Sequence, residues 1–192
     1  MKLEQNRNYI VSGLERSGTS MMMQILEAGK IPIAHNKSRK PDENNPKGYY
    51  ELEGGKVMSK LMENKFPMRK YRGKFIKITS YGLLCLPNLT RKYTIIYMER
   101  DIEEIISSTE KMTGKKTRER MKTIKSLEKL EHKVKEEIIS RVDCRLLILN
   151  YNNILEDPKG NVEMILDYLE LKDTYIDDMV EIVNKKLYRN RK

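Results

Sequence analysis

The chain has 192 residues, of which 39% are hydrophobic and 34% are charged, and its formal charge is +10 because 38 Lys and Arg outweigh 28 Asp and Glu. This length suits one ordinary domain, and the hydrophobic content argues against a largely disordered chain. We therefore expect a single domain over residues 1–192 with a surface that attracts anions such as nucleotides, nucleic acid, acidic lipids or sulfated sugars.

The cysteines and the hydrophobic runs bear on the cellular compartment. Cys85 and Cys144 are far apart and each lies in an apolar run, which favours two buried thiols in a reducing compartment over a disulfide framework. No apolar stretch approaches the ~18 residues of a membrane span, and no apolar signal segment follows residues 1–8. We therefore predict a cytoplasmic protein without a membrane span.

The first predicted elements are a buried strand over residues 8–13, a glycine loop and a helix that Gly29 ends. This arrangement points backbone N–H groups and a helix N-terminus at an anion. The loop reads GLERSGTS and has the spacing of the triphosphate-binding motif G-x-x-x-x-G-K-[ST], but Thr19 occupies the lysine position. The sequence therefore predicts a phosphate-binding loop that is not shaped for the β- and γ-phosphates of ATP.

A long loop and two strands follow. Residues 41–55 are dense in Pro, Asn, Asp and Gly, which predicts a long loop of the kind that often carries function. Residues 74–80 and 92–99 are rich in β-branched and aromatic side chains and predict two interior strands. A helix then begins with Asp101 as its N-cap and Glu104 as the reciprocal capping partner.

The second half of the chain continues the alternation of helices and strands. Between residues 117 and 139 apolar side chains recur every three or four positions, which predicts a long amphipathic helix with a solvated charged face: Met121, Ile124, Leu127, Leu130, Val134 and Ile138. Residues 144–151 predict a strand, and a last large helix begins with Asp157 as cap and Pro158 at its first position. The alternation predicts a three-layer α/β fold with a mainly parallel central sheet flanked by helices and ligands at the carboxyl ends of the strands.

Three motifs at these strand ends resemble those of one family, the sulfotransferases that use 3′-phosphoadenosine 5′-phosphosulfate (PAPS), and especially its bacterial and protein-tyrosine branches. From Arg16 onward, ERSGTS matches the first loop of that family, P-[KR]-S-G-T-[ST]. RDIEEIISS supplies Arg100 and Ser108 eight positions apart, as in the second signature of the family. The third signature, Y-x-x-[LI]-x-x-D-P, is matched by Tyr151, Ile154, Asp157 and Pro158.

The resemblance implies a P-loop-like enzyme that moves a sulfuryl group from PAPS to an acceptor hydroxyl or amine by in-line transfer, without a metal. It places Arg16 near the bridging oxygen of the 5′-phosphosulfate. The loop N–H groups that would hold this 5′ end belong to Ser17, Gly18, Thr19 and Ser20. It places the 3′-phosphate at Arg100 and Ser108, and the adenine near Tyr151.

The catalytic base is where the chain departs from the cytosolic small-molecule branch. That branch has a histidine after a K-T motif, whereas KITS here supplies Lys77 and has Thr79 near the histidine position. The protein-tyrosine and glycan branches use a glutamate, and the resemblance gives this role to Glu51, at the end of NPKGYYE. Lys77 is then the second cation near the sulfuryl group, and His35 is the other candidate base.

Other departures concern the edges of the site. Glu15 stands where the family commonly has proline, so its carboxylate lies beside the anion site unless its side chain points outward. The carboxyl-terminal R-K-G-x-x-G-D-W-K segment of the cytosolic branch is missing, which leaves closure over the nucleotide to the basic tail with Arg189 and Arg191. Tyr49 and Tyr50 are candidates for stacking on an aromatic or sugar acceptor.

Two other functions remain open from the sequence. A nucleoside or small-molecule kinase requires a lysine after Gly18, and the sequence has none at that position. It also requires a carboxylate that binds magnesium, and Asp101 could supply it. A nucleic-acid-binding module would exploit the positive charge, but the basic segments lack interleaved aromatic residues. For a sulfotransferase, we expect the acceptor to be a small molecule, a glycan or a peptide that binds next to the variable regions 31–53 and 113–141. Nucleic acid is not an expected partner.

Overall fold

The computed structural model describes residues 2–36, 48–87, 92–172 and 175–183. In these residues four strands form one sheet in the order β2-β1-β3-β4, and every pair is parallel. The strands are β1 (Asn8–Gly13), β2 (Phe75–Lys77), β3 (Tyr93–Glu99) and β4 (Cys144–Asn150). Because all four point the same way, their carboxyl ends meet at one edge of the sheet.

Helices cover both faces of the sheet, with short 3₁₀ turns at Glu53–Gly55 and Met68–Tyr71. The helices are α1 (Thr19–Ala28), α2 (Val57–Met62), α3 (Ser80–Leu83), α4 (Ile102–Thr113), α5 (Arg120–Ile139), α6 (Tyr151–Glu156), α7 (Pro158–Leu169) and α8 (Ile176–Glu181). One apolar core joins the sheet to α1, α6, α7 and α8, and a second joins it to α2, α3 and α5. The three-layer α/β fold predicted from the sequence is confirmed.

Two predicted helix starts are confirmed by their caps. The Asp101 carboxylate accepts hydrogen bonds from the backbone N–H groups of Glu103 and Glu104, at 2.8 and 3.2 Å. The Asp157 carboxylate accepts one from the N–H of Gly160 at 3.0 Å. Each cap satisfies donors that the first turn of a helix otherwise leaves unpaired.

Two predicted strands are shorter than expected. Strand β2 ends at Lys77, and Ser80 already begins α3. Strand β4 ends at Asn150, whose side chain accepts from the N–H of Asn152 at 2.8 Å and so caps α6. Tyr151 is therefore the first residue of a helix at the carboxyl edge of the sheet.

Helix α5 confirms the predicted long amphipathic element, but only its carboxyl-terminal half packs into the core. Val134 and Ile138 are buried, whereas Met121 is 64% exposed. The apolar stripe therefore does not face the core over its whole length. Most charged residues around it are exposed, but the Glu131 side chain is only 14% exposed.

The two cysteines are free thiols, and both are half-buried instead of fully buried as expected. Burial raises the pKa of the Cys144 thiol to about 12, so this thiol stays protonated at neutral pH. In the parts of the chain that the structure describes, no helix is both long and apolar enough to cross a membrane.

Candidate active site

The glycine loop between β1 and α1 is packed tightly against its neighbours. Gly18 has a φ of 99°, and a Cβ on it would lie 2.4 Å from Cδ2 of Tyr151. A Cβ on Gly13 would lie 2.5 Å from the carbonyl oxygen of Met98 on β3. Arg16 also has a positive φ, of 70°, an uncommon conformation for a residue other than glycine. The absence of a side chain at Gly13 and Gly18 therefore lets the loop pack against β3 and α6.

The backbone N–H groups of the loop have two different roles: one closes the loop, and the others are placed to bind an anion. The N–H of Ser17 donates to the carbonyl of Leu14 at 3.2 Å, so it holds the loop in shape. Gly18, Thr19 and Ser20 stand at the start of α1, where N–H groups have no intrahelical acceptor and favour an anion. Ser17 is completely buried, and its hydroxyl oxygen has no hydrogen-bond partner among the residues that the structure describes.

Residues from two distant motifs meet beside this loop. Arg16 Nε donates to the hydroxyl oxygen of Ser108 on α4 at 3.0 Å. Arg100 Nη1 donates to the backbone carbonyl of Arg16 at 3.1 Å. The predicted 5′ and 3′ contact residues are therefore directly connected, and two guanidinium groups flank the N-terminus of α1.

Arg100 is fixed by Glu104 and Tyr151 as well as by the Arg16 carbonyl. Its Nε lies 2.9 Å from Glu104 Oε2, and the two side chains are only 7% and 5% exposed. Its guanidinium carbon lies 4.5 Å from the centroid of the Tyr151 ring. Asn152 Nδ2 donates to the other oxygen of Glu104 at 3.4 Å. Glu104 thus orients Arg100, a role that the sequence analysis missed although the i, i+4 spacing of Arg and Glu is a signal for it.

Lys77 and the segment that carries Glu51 also meet next to the loop. The Lys77 ammonium donates to the carbonyl oxygen of Tyr49, and the Ser20 hydroxyl lies 3.5 Å from the same oxygen. Glu51 is half-buried, and its carbonyl accepts from the N–H of Asn36 at 3.0 Å. Lys77, Ser20 and the backbone next to Glu51 are therefore brought to one edge of the sheet.

The remaining candidates are His35 and the two tyrosines before Glu51. Tyr49 and Tyr50 are only 6% and 9% exposed, which favours packing within the protein over stacking of their rings on an acceptor. The His35 ring lies 4.8 Å from that of Tyr50, and its Nε2 lies 4.0 Å from Glu27 Oε1 at the far end of α1. This position does not support His35 as the base.

The remaining two expectations concern charges around the site. Glu15 is exposed, so its carboxylate reaches solvent and not the interior of the loop. Arg189 and Arg191, predicted to close over the nucleotide, lie outside the residues that the structure describes.

Gly18→Ala is expected to destabilise the loop strongly. A left-handed conformation costs alanine about 1 kcal/mol or more, and the new Cβ would also displace the Tyr151 ring that packs under Arg100. Gly114→Ala is the matched control, since Gly114 has a φ of 68° and no atom within 4 Å of an added Cβ. Urea denaturation should show a larger loss of unfolding free energy for Gly18→Ala, and equal losses would contradict the packing argument.

The family model of the sulfotransferase domain matches residues 6–192. The chain therefore belongs to the sulfotransferase family, which confirms the resemblance seen in the sequence and the predicted class of enzyme. No curated protein matches it significantly in sequence.

Solved structures share the fold at low sequence identity. Mouse sulfotransferase SULT7A1 complexed with PAP is 12% identical, with a TM-score of 0.58 over 99% of this chain and 68% of that one. Retinol dehydratase in a complex with retinol and PAP is 19% identical, with a TM-score of 0.55 over 97% and 67%. Sulfotransferase STF1 from Mycobacterium tuberculosis is 14% identical, with a TM-score of 0.59 over 96% and 72%.

Proposed function

We propose that this enzyme transfers the sulfuryl group of PAPS to an acceptor hydroxyl or amine. The observation that carries the proposal is the contact of Arg16 with Ser108 and of Arg100 with the Arg16 backbone, next to the N-terminus of α1. This arrangement supplies two adjoining anion sites, as an adenosine with phosphates at both its 3′ and 5′ positions requires. The PAP complexes of two enzymes with this fold support the same ligand class.

The residues present fit such a nucleotide. The 5′-phosphosulfate is assigned to the N–H groups at the start of α1 and to the buried Ser17 hydroxyl, which lacks a partner among the described residues. The 3′-phosphate is assigned to Arg100 and Ser108. Tyr151, held between Gly18 and Arg100, is assigned to the floor beneath the adenosine.

The reaction needs positioning and charge stabilisation more than covalent chemistry by the protein. The bond from sulfur to the bridging phosphate oxygen breaks while a bond from sulfur to the acceptor oxygen forms, and the acceptor proton passes to the Glu51 carboxylate. Arg16 offsets the charge that develops on the leaving nucleotide, and Lys77 stabilises the sulfuryl oxygens. One such donor or cation is typically worth about 2.7 to 4 kcal/mol in the transition state.

We propose that the acceptor is a small molecule, a glycan or a peptide that binds beside the regions 31–53 and 113–141, of which residues 37–47 lie outside the part of the chain that the structure describes. We also propose that residues 1–192 act as one domain, which the family match over residues 6–192 supports. A reducing compartment, the cytoplasm, is proposed because Cys85 and Cys144 are free thiols.

The kinase alternative is the weaker one. Thr19 stands where a kinase loop needs lysine. Asp101, the candidate ligand for magnesium, uses its carboxylate to cap α4.

Isothermal titration calorimetry, run once in EDTA and once with magnesium, tests the donor directly. We expect the protein to bind 3′-phosphoadenosine 5′-phosphate (PAP) without magnesium and to bind ATP more weakly, because ATP lacks a 3′-phosphate for Arg100 and Ser108. The salt concentration is held constant, since electrostatic affinity depends on it. Magnesium-dependent ATP binding without any response to PAP would favour the kinase.

A further inference from the structure

The segment that carries Glu51 has an unusually strained backbone. Between residues 48 and 55, positive φ angles occur at three glycines and at two other residues, Tyr50 with 55° and Glu53 with 52°. A bulky residue in this region is an outlier that persists only where surrounding contacts hold it. Glu51 lies between these two strained residues, so the contacts that hold them also determine where its carboxylate is presented.

Tyr50 is held through the far end of its side chain. Its hydroxyl donates to Glu27 Oε2 at 2.5 Å, and Glu27 lies in the last turn of α1. Burial, together with the hydrogen bond to this carboxylate, raises the pKa of the Tyr50 phenol above its ordinary value, so the phenol remains a donor at neutral pH. The hydrogen bond thereby anchors the Glu51 segment to α1, the helix whose N-terminus is assigned to the 5′ end of the nucleotide.

Glu53 is held on the other side of Glu51. Its carboxylate accepts from the hydroxyl of the buried Tyr71 at 2.5 Å and from the Lys60 ammonium. Immediately before Tyr50, the carbonyl of Tyr49 accepts from Lys77. Each anchor is a side-chain contact to a different element, and together they fix the backbone on both sides of Glu51.

We propose that Tyr50 is a positioning residue that fixes the direction of the Glu51 carboxylate through its hydrogen bond to Glu27. The inference rests on the proposed function, in which Glu51 takes the proton of the acceptor. Without the bond, residue 50 relaxes toward a negative φ, and this rotation turns the next residue away from the acceptor. A displacement of about 1 Å at a reacting group lowers rates by as much as ~10²-fold.

The first test is kcat and KM for Tyr50→Phe, with labelled PAPS and the best acceptor from a panel of phenols, alcohols, amines and sugars. We expect kcat to fall by about 10- to 100-fold, while the calorimetric Kd for PAP stays within about twofold of wild type. Tyr168→Phe is the matched control, because its hydroxyl donates to the carbonyl of Ile95 at 3.2 Å, away from the carboxyl edge of the sheet. This variant should keep the wild-type kcat.

Glu27→Ala and Glu27→Gln probe the same contact from the other partner. The Glu27 side chain is half-exposed, so both variants are expected to fold. Glu27→Ala should reproduce the kcat loss of Tyr50→Phe, whereas Glu27→Gln retains an acceptor for the phenol and should recover most of the rate. Equal rates in all three variants and the wild type would overturn the inference.

A double variant separates positioning from general weakening of the fold. If Tyr50 acts through Glu51, Tyr50→Phe should lower kcat no further in a Glu51→Gln background, because coupled residues are not additive. Equal factors in both backgrounds would overturn the inference and leave the proposed function intact. A Glu51→Gln variant with the wild-type kcat would instead remove Glu51 as the base, and failure to bind PAP would contradict the donor site itself.

Discussion

Glu51→Gln is expected to lower kcat by about 10²- to 10⁴-fold, the usual contribution of a general base, while PAP binds as it does to the wild type. The amide has the shape of the carboxylate but cannot take the acceptor proton. Because that proton moves only as the reaction proceeds, removal of the base affects turnover and not binding of the donor. Steady-state transfer from labelled PAPS measures the first effect, and calorimetry measures the second.

The acceptor itself provides the control for this variant. Phenol must lose its proton, with a pKa near that of tyrosine, about 10, whereas p-nitrophenol is a much stronger acid and is already partly ionised near neutral pH. If both serve as acceptors, Glu51→Gln should slow transfer to phenol far more than transfer to p-nitrophenol. Equal slowing of both acceptors, or wild-type transfer to phenol, would place the base elsewhere.

Arg100→Ala is expected to weaken PAP binding by about 10- to 150-fold, which corresponds to the ~1.5–3 kcal/mol of a hydrogen bond to a charged group. The variant also loses stability, because Glu104 is 5% exposed and its ion-pair partner is removed. Breaking a buried pair in this way costs roughly 3–5 kcal/mol. Binding should therefore be measured by calorimetry at a temperature where circular dichroism shows the variant to be folded.

Arg141→Ala separates the loss of affinity from the loss of stability. The Arg141 side chain is buried to a similar degree, at 9% exposure, and pairs with Asp143 at 2.8 Å. It lies over the ring of Tyr93. It precedes β4 and thus lies at the opposite edge of the sheet. We expect this variant to lose stability but to bind PAP as the wild type does, and an Arg100→Ala variant with wild-type affinity would contradict the assignment of the 3′-phosphate.

The features that the sequence predicted well depend on neighbours in the chain. The strand over residues 8–13 is followed at once by its glycine loop and helix, so the apolar run, the glycines and the helix start are all local signals. The caps Asp101 and Asp157 likewise bond N–H groups two or three residues ahead. Such contacts form whatever the tertiary packing, which is why the order of elements was predictable.

The features that the sequence did not predict depend on residues that are distant in the chain. Tyr50 bonds Glu27 across 23 positions and Lys77 bonds the Tyr49 carbonyl across 28, and no pattern in either segment indicates the partner. The tyrosines beside Glu51 were therefore assigned to an acceptor, although burial makes them part of the scaffold. The short helix α6 was also missed, because Tyr151 was counted as the last residue of β4, although Asn150 before it is a typical N-cap residue and caps α6.

A crystal structure of the protein with PAP tests the central claim most directly. We expect the 5′-phosphate at the N–H groups of Gly18, Thr19 and Ser20, and the 3′-phosphate within hydrogen-bond distance of the Arg100 guanidinium and the Ser108 hydroxyl. PAP bound away from Arg16 and Arg100, or an empty cleft at saturating PAP, would contradict it.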